Sequence, residues 1–137
     1  MLGIKRMDHV AMVVPKLDER LPMLTELLGM KVVHRFENPQ AGYNGIALDV
    51  PGGGAQWELL EPRDESSFLT RFLAERGGGF HHATFEVEDV ERATAALREY
   101  GYEPYSGREH GTYKEVFLHP KDTGGVLLQL YEGGWEE

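Results

Sequence analysis

Asp8-His9-Val10-Ala11-Met12-Val13-Val14 has a counterpart in His81-His82-Ala83-Thr84-Phe85-Glu86-Val87. Each stretch reads as a strand by apolar enrichment and partial alternation, with a histidine near its start. The next element recurs as well. A helix is expected over Leu17–Leu28, with Leu21, Leu24 and Leu28 on one face, and another over Val90–Tyr100, with Val90, Ala93 and Leu97 on one face. Gly29 and Gly101 stand just past the two ends, where a left-handed cap is wanted. Asp89 is placed to cap the second helix. Pro22 should delay or kink the first.

Three strand-like runs come after each helix. The first set is Lys31–Phe36, Gly45–Val50 and Ala55–Glu61; the second is Glu103–Ser106, Tyr113–Leu118 and Gly125–Tyr131. Glycine runs at Gly52-Gly53-Gly54 and Gly124-Gly125 separate strands and read as hairpin turns. Neither run leads into a helix start or a P-loop lysine, so they are not read as phosphate cradles. The repeating unit is βαβββ, used twice in an α+β fold. Module one is expected at 1–62, module two at 80–137, and a hinge with a short amphipathic helix near Ser67–Arg76 at 63–79.

The repeat makes polar residues in equivalent places informative. Glu58 interrupts the last strand of module one, in Gln56-Trp57-Glu58-Leu59-Leu60. Gln129 interrupts the last strand of module two, in Val126-Leu127-Leu128-Gln129-Leu130. Taken singly, either could face solvent by ordinary alternation. Together with His9 and His82, at nearly equal spacing in the two halves, they form a candidate set of four.

Composition excludes other chemistry. The 137 residues carry 41% hydrophobic side chains, enough for a packed core, and no cysteine. Disulfides, thiolate metal sites and a thiol nucleophile are therefore ruled out. Net charge is −9, with no dense Lys/Arg cluster, which argues against a nucleic-acid partner. The longest apolar stretch, Val10–Pro15, is too short to span a bilayer. Residues 1–8 lack the long apolar run of a signal peptide, so a cytoplasmic location is expected. Arg35, Arg108, Lys114 and Lys121 are available to meet an anionic small molecule.

At these residues the chain resembles the vicinal oxygen chelate superfamily, which includes glyoxalase I, extradiol dioxygenases and methylmalonyl-CoA epimerases. The epimerase branch is the nearest likeness. It is carried by Asp8-His9-Val10-Ala11, Glu58-Leu59-Leu60-Glu61-Pro62, Gly79-Phe80-His81-His82, and Phe117-Leu118-His119-Pro120-Lys121-Asp122 leading into Gly124–Leu130. His34-Arg35-Phe36-Glu37-Asn38-Pro39 adds to it.

The resemblance implies two βαβββ modules paired around a metal-binding cleft. Its ligand positions fall on His9, Glu58, His82 and Gln129. Such a nitrogen and oxygen set suits one Co, Ni, Mn, Fe or Zn ion. No nucleotide cofactor is implied, and the expected partner is a small-molecule substrate, with a homodimer compatible. His81 is one place off the ligand pattern, and His119 sits in a His-Pro turn and reads as structural. Arg35, Lys114 and His110 are candidate substrate-binding residues.

The chain departs from the epimerase pattern at Gln129, where the family usually carries a glutamate that is both ligand and base. A second family glutamate falls near Gly45. Aligning the modules puts Glu115 at the repeat equivalent of that position. The expectation is an acid–base pair that has changed sides, Glu58 with Glu115. The alternatives are an extradiol-type dioxygenase, a glyoxalase I-like lyase, and a metal-free binding protein.

Overall fold

The computed structural model describes residues 1–134. The last three residues of the expected second module lie outside the described residues. By contacts the chain divides into two units. One is His9–His81; the other joins Met1–Asp8 to the chain from His82 onward. We call them the N-terminal and C-terminal units. The mixed sheets and few helices make the fold α+β, as expected.

The N-terminal unit takes its first strand from β1 (Ile4–Val13), which continues from the C-terminal unit. Helix α1 (Leu17–Pro22) comes next and runs on as a π-helical turn over Met23–Leu27. Proline has no N–H to continue the α-helical ladder. The next turn is loosened, and Leu28 N donates to Met23 O at 3.1 Å. Gly29 then takes the left-handed conformation, φ +73°, expected of a helix stop.

Strands β2 (Lys31–Asn38), β3 (Tyr43–Asp49) and β4 (Gln56–Pro62) complete this half-sheet in the order β2-β3-β4-β1. β4 runs parallel to β1, and the other pairs are antiparallel. Leu24, Ile46, Leu48 and Leu59 pack on one face with Val14, Leu17 and Met30. Ala11, Val13 and Leu60 pack with Leu69 on the other. Leu69 belongs to α2 (Phe68–Arg76), capped by the Ser67 side chain and stopped at Gly77. A fully buried leucine contributes roughly 1.5–3 kcal/mol, so these clusters, more than strand propensity, fix which face each strand turns inward.

The C-terminal unit repeats the plan. β5 (Gly79–Val87), which enters from the N-terminal unit, leads to α3 (Val90–Glu99), then β6 (Tyr105–His110), β7 (Tyr113–Leu118), the short α4 (Pro120–Thr123) and β8 (Leu127–Glu132). The order is β5-β8-β7-β6, with β5 and β8 parallel. Asp89 caps α3 by accepting from the N–H groups of Glu91 and Arg92. Val87, Val90, Ala93, Leu97, Val116, Leu118 and Leu130 form its core. Residues 1–8 belong here: Glu88 N donates to Gly3 O at 3.0 Å, and Arg6 Nε donates to Glu86 at 2.9 Å. Helix α4 carried no periodic signal. It arises because His119 Nδ1 accepts from Lys121 N at 3.1 Å, which makes that histidine a cap. Among the described residues no helix is long and apolar enough to cross a membrane.

Candidate functional site

Strand register explains why the histidines and the polar interruptions recur together. In the N-terminal unit, Ala11 of β1 stands opposite Glu58 of β4, and His9 is two residues earlier. In the C-terminal unit, Thr84 of β5 stands opposite Gln129 of β8, and His82 is two residues earlier. Side chains two apart on a strand share a face. Each histidine therefore shares the face of its own unit's polar residue.

His9 Nε2 lies 3.5 Å from Glu58 Oε2, with the two side chains only 15% and 18% exposed. Glu58 is flanked across the ladder by two small residues, Ala11 on β1 and Ala47 on β3. Both alanines are buried, so nothing bulky crowds the carboxylate from its neighbouring strands. An imidazole nitrogen beside a carboxylate oxygen is a donor pair for a divalent transition metal.

Gln129 is engaged by its own unit. Its Oε1 accepts from Thr84 Oγ1 at 2.8 Å, and its Nε2 donates to Glu115 Oε1 at 3.0 Å and to the Tyr113 hydroxyl at 3.2 Å. The amide oxygen, the atom that could ligate, keeps one further lone pair.

Glu115 is buried, at 4% exposure. It accepts from Arg108 N at 2.8 Å, from Arg108 Nε and Nη2 at 3.3 Å each, and from the Tyr113 hydroxyl at 2.6 Å. Burial alone would push its carboxyl up. The Arg108 guanidinium and backbone N–H and the Tyr113 hydroxyl outweigh that and hold it below the usual glutamate range. Burial pushes the Tyr113 phenol up, and the neighbouring Glu115 charge adds to it. Glu115 is therefore ionised at neutral pH and Tyr113 is protonated. Tyr113 was missed by motif reasoning. Its signal was alternation, since Tyr113 and Glu115 are two apart on one strand.

The three basic candidates fall differently. Arg35 stands opposite Ile46, which is buried among the α1-side core residues. Alternation puts it on the face of the half-sheet opposite to that of Glu58. There it comes within 3.9 Å of Asp18 and lines a cavity of about 370 Å³ with Asn44 and Glu61. Lys114 is next to Glu115, so it points to the other face, where it pairs with Glu91 of α3 at 3.5 Å. His110 stands opposite Tyr113 and so shares the Glu115 face, where it is exposed.

Comparison with known proteins shows the family. The profile of the Glyoxalase/Bleomycin resistance protein/Dioxygenase superfamily matches residues 8–117. An ethylmalonyl-CoA/methylmalonyl-CoA epimerase of Cereibacter sphaeroides is 37% identical over 93% of this chain and 97% of its own. The crystal structure of methylmalonyl-CoA epimerase from Mycobacterium tuberculosis superposes with a TM-score of 0.80 at 35% identity, covering 96% of this chain and 89% of that one. A variant of the Streptomyces coelicolor methylmalonyl-CoA epimerase, solved with 2-nitronate-propionyl-CoA, gives 0.78 at 32% identity over 96% and 99%. The chain belongs to the glyoxalase/bleomycin resistance protein/dioxygenase superfamily, and these relatives within it are malonyl-thioester epimerases.

Proposed function

We propose that the protein is a metal-dependent epimerase of a 2-alkylmalonyl-CoA thioester. The observation that carries the reading is the donor group. His9 Nε2 and Glu58 Oε2 lie 3.5 Å apart within the N-terminal unit, and His82 holds the place in the repeat that His9 holds there, which makes it the third candidate ligand. Two imidazoles and a carboxylate fit a divalent cation such as Co²⁺, Ni²⁺, Mn²⁺, Fe²⁺ or Zn²⁺. Gln129, with a spare lone pair on Oε1, is the fourth candidate ligand. When bound, the ion would polarise a thioester carbonyl and stabilise negative charge on its oxygen.

Inversion at a carbon next to a carbonyl needs one group to remove a proton and another to return one. In this reading Glu58 and Glu115 are that pair. Glu115 is already ionised, the form a base requires, and its orientation is set by Arg108 and Tyr113. A nitronate is a planar anion resembling an enolate, so the thioester bound to the Streptomyces coelicolor relative supports enolate chemistry in the family. A two-histidine, one-carboxylate set also suits non-haem iron. The epimerase relatives support epimerisation over dioxygenation.

The test is exchange of the α-proton of methylmalonyl-CoA with deuterium oxide. The metal-loaded wild type should exchange it. Glu115→Gln should interconvert the two epimers at least about a hundredfold more slowly, at unchanged metal content, while Glu58 still exchanges the proton of one of them. Full epimerisation by Glu115→Gln would remove Glu115 from the chemistry. No exchange by the wild type would sink the epimerase reading.

A further inference from the structure

Gly45 and Gly107 have φ values that any residue can adopt, so space explains them. A Cβ on Gly45 would come within 2.2 Å of Cζ of Phe36, and one on Gly107 within 2.3 Å of Oε2 of Glu115. The two cross-strand slots are equivalent in the repeat, Gly45 of β3 standing where β7 has Glu115. Gly45 is two residues before Ala47, the partner of Glu58; Glu115 is two residues before Phe117, the partner of Gln129. In the N-terminal unit the slot between the hairpin strands is filled from β2, by the Phe36 ring lying over Gly45. In the C-terminal unit it is filled from β7, by the Glu115 carboxylate lying over Gly107. One half carries an aromatic wall where the other carries a charge.

Phe36 is held in place. Its ring meets Tyr43 edge-on at 6.3 Å, stacks with His34 at 5.8 Å, and packs against the cluster of Ala11, Val13, Leu60 and Leu69. It remains only partly buried. Cross-strand register puts it on the Glu58 face, one strand repeat (about 7 Å) along from Ala47. A thioester whose carbonyl is drawn toward a cation held at Glu58 would have an apolar surface one acyl substituent away. We propose that Phe36, seated over Gly45, sets the length of the alkyl branch that the protein accepts at the α-carbon. This rests on the epimerase reading for the substrate class.

The test uses metal-loaded wild type, Phe36→Leu and Phe36→Ala, with folding checked by circular dichroism and metal content measured. Calorimetry gives the affinities for propionyl-CoA and butyryl-CoA, which differ by one methylene at the branch. Phe36→Ala should raise the preference for butyryl-CoA over propionyl-CoA by about tenfold, with Phe36→Leu between it and the wild type. Phe36→Leu, the milder change, preserves the test if the alanine variant fails to fold. A ratio unmoved within twofold overturns the proposal, as does failure of the wild type to bind either thioester. Turnover of methylmalonyl-CoA by the wild type is scored separately. An active enzyme with an unmoved ratio sinks only the role of Phe36, and a moved ratio without turnover sinks only the epimerase reading.

Discussion

The Tyr113 hydroxyl donates to Glu115 Oε1 across 2.6 Å, and the two residues sit on one face of β7. Tyr113 is one of the groups holding the Glu115 carboxyl low. Tyr113→Phe removes that donor, so the pKa of Glu115 should rise. The acid limb of the pH–rate profile for α-proton exchange should then move to higher pH. A hydrogen bond to a charged group is worth about 1.5–3 kcal/mol, so a denaturant titration at pH 7 should show a loss of that order. An unmoved acid limb would show that Glu115 does not govern it.

His9 faces Glu58 at 3.5 Å, and removing the imidazole leaves one fewer donor for a cation. His9→Ala should lose bound metal on dialysis, measured by elemental analysis. A ligand that binds only the folded state raises stability by about 2.7 kcal/mol at a hundred times its Kd. Added metal should therefore raise the melting temperature of the wild type but not of His9→Ala. Equal metal content in the two proteins would refute the ligand assignment.

Gln129 Nε2 is 3.0 Å from Glu115 Oε1. Gln129→Glu would set a carboxylate against a carboxylate at that distance. Two such groups cannot both stay ionised without a large penalty, and one pKa rises. The metal-free variant should be destabilised relative to the wild type at pH 8, and the gap should narrow at pH 5 as a proton is taken up. Thermal melts at the two values check this. A gap of equal size at both would show that the carboxylates do not meet.

His81 lies against the Phe68 and Phe72 rings at 5.7 and 5.2 Å. Burial, aided by the Arg76 charge, pushes its pKa below the ordinary 6.5. The folded state favours the neutral ring. Its contribution to stability is complete above pH 6.5 and is lost as pH falls through the lower folded-state value. His81→Phe keeps the ring contacts and cannot protonate. Between pH 7 and pH 5 its melting temperature should fall less than that of the wild type. Parallel curves would show that the imidazole is not the titrating group.

Much of this was legible in the residues because a repeat writes its signal twice. The duplicated strand-and-helix pattern located β1, β5, α1 and α3. Glu58 and Gln129 stood out as polar breaks in matching apolar strands. Strand alternation decided what motif matching could not. Arg35 and Lys114 are basic and close in sequence to the site, yet neighbours on a strand face opposite ways, and both turn to the helix-covered faces. Tyr113 and Arg108 carried no motif, because their importance lies in cross-strand contact with one buried carboxylate. The π-helical turn after Pro22 was hinted at by the proline alone, since the loosened ladder depends on which carbonyls remain unpaired.

The matched hollows at Gly45 and Gly107 also bear on how such a catalyst drifts. A duplicated scaffold keeps a spare socket for each working group, and trading bulk between neighbouring strands is enough to vacate one and furnish the other. In a reversible interconversion of epimers, such a trade would exchange which epimer each group deprotonates and leave the net conversion as it was. Selection acting on that conversion would be blind to the handedness of the machinery, and lineages could wander between the two arrangements with little loss of fitness.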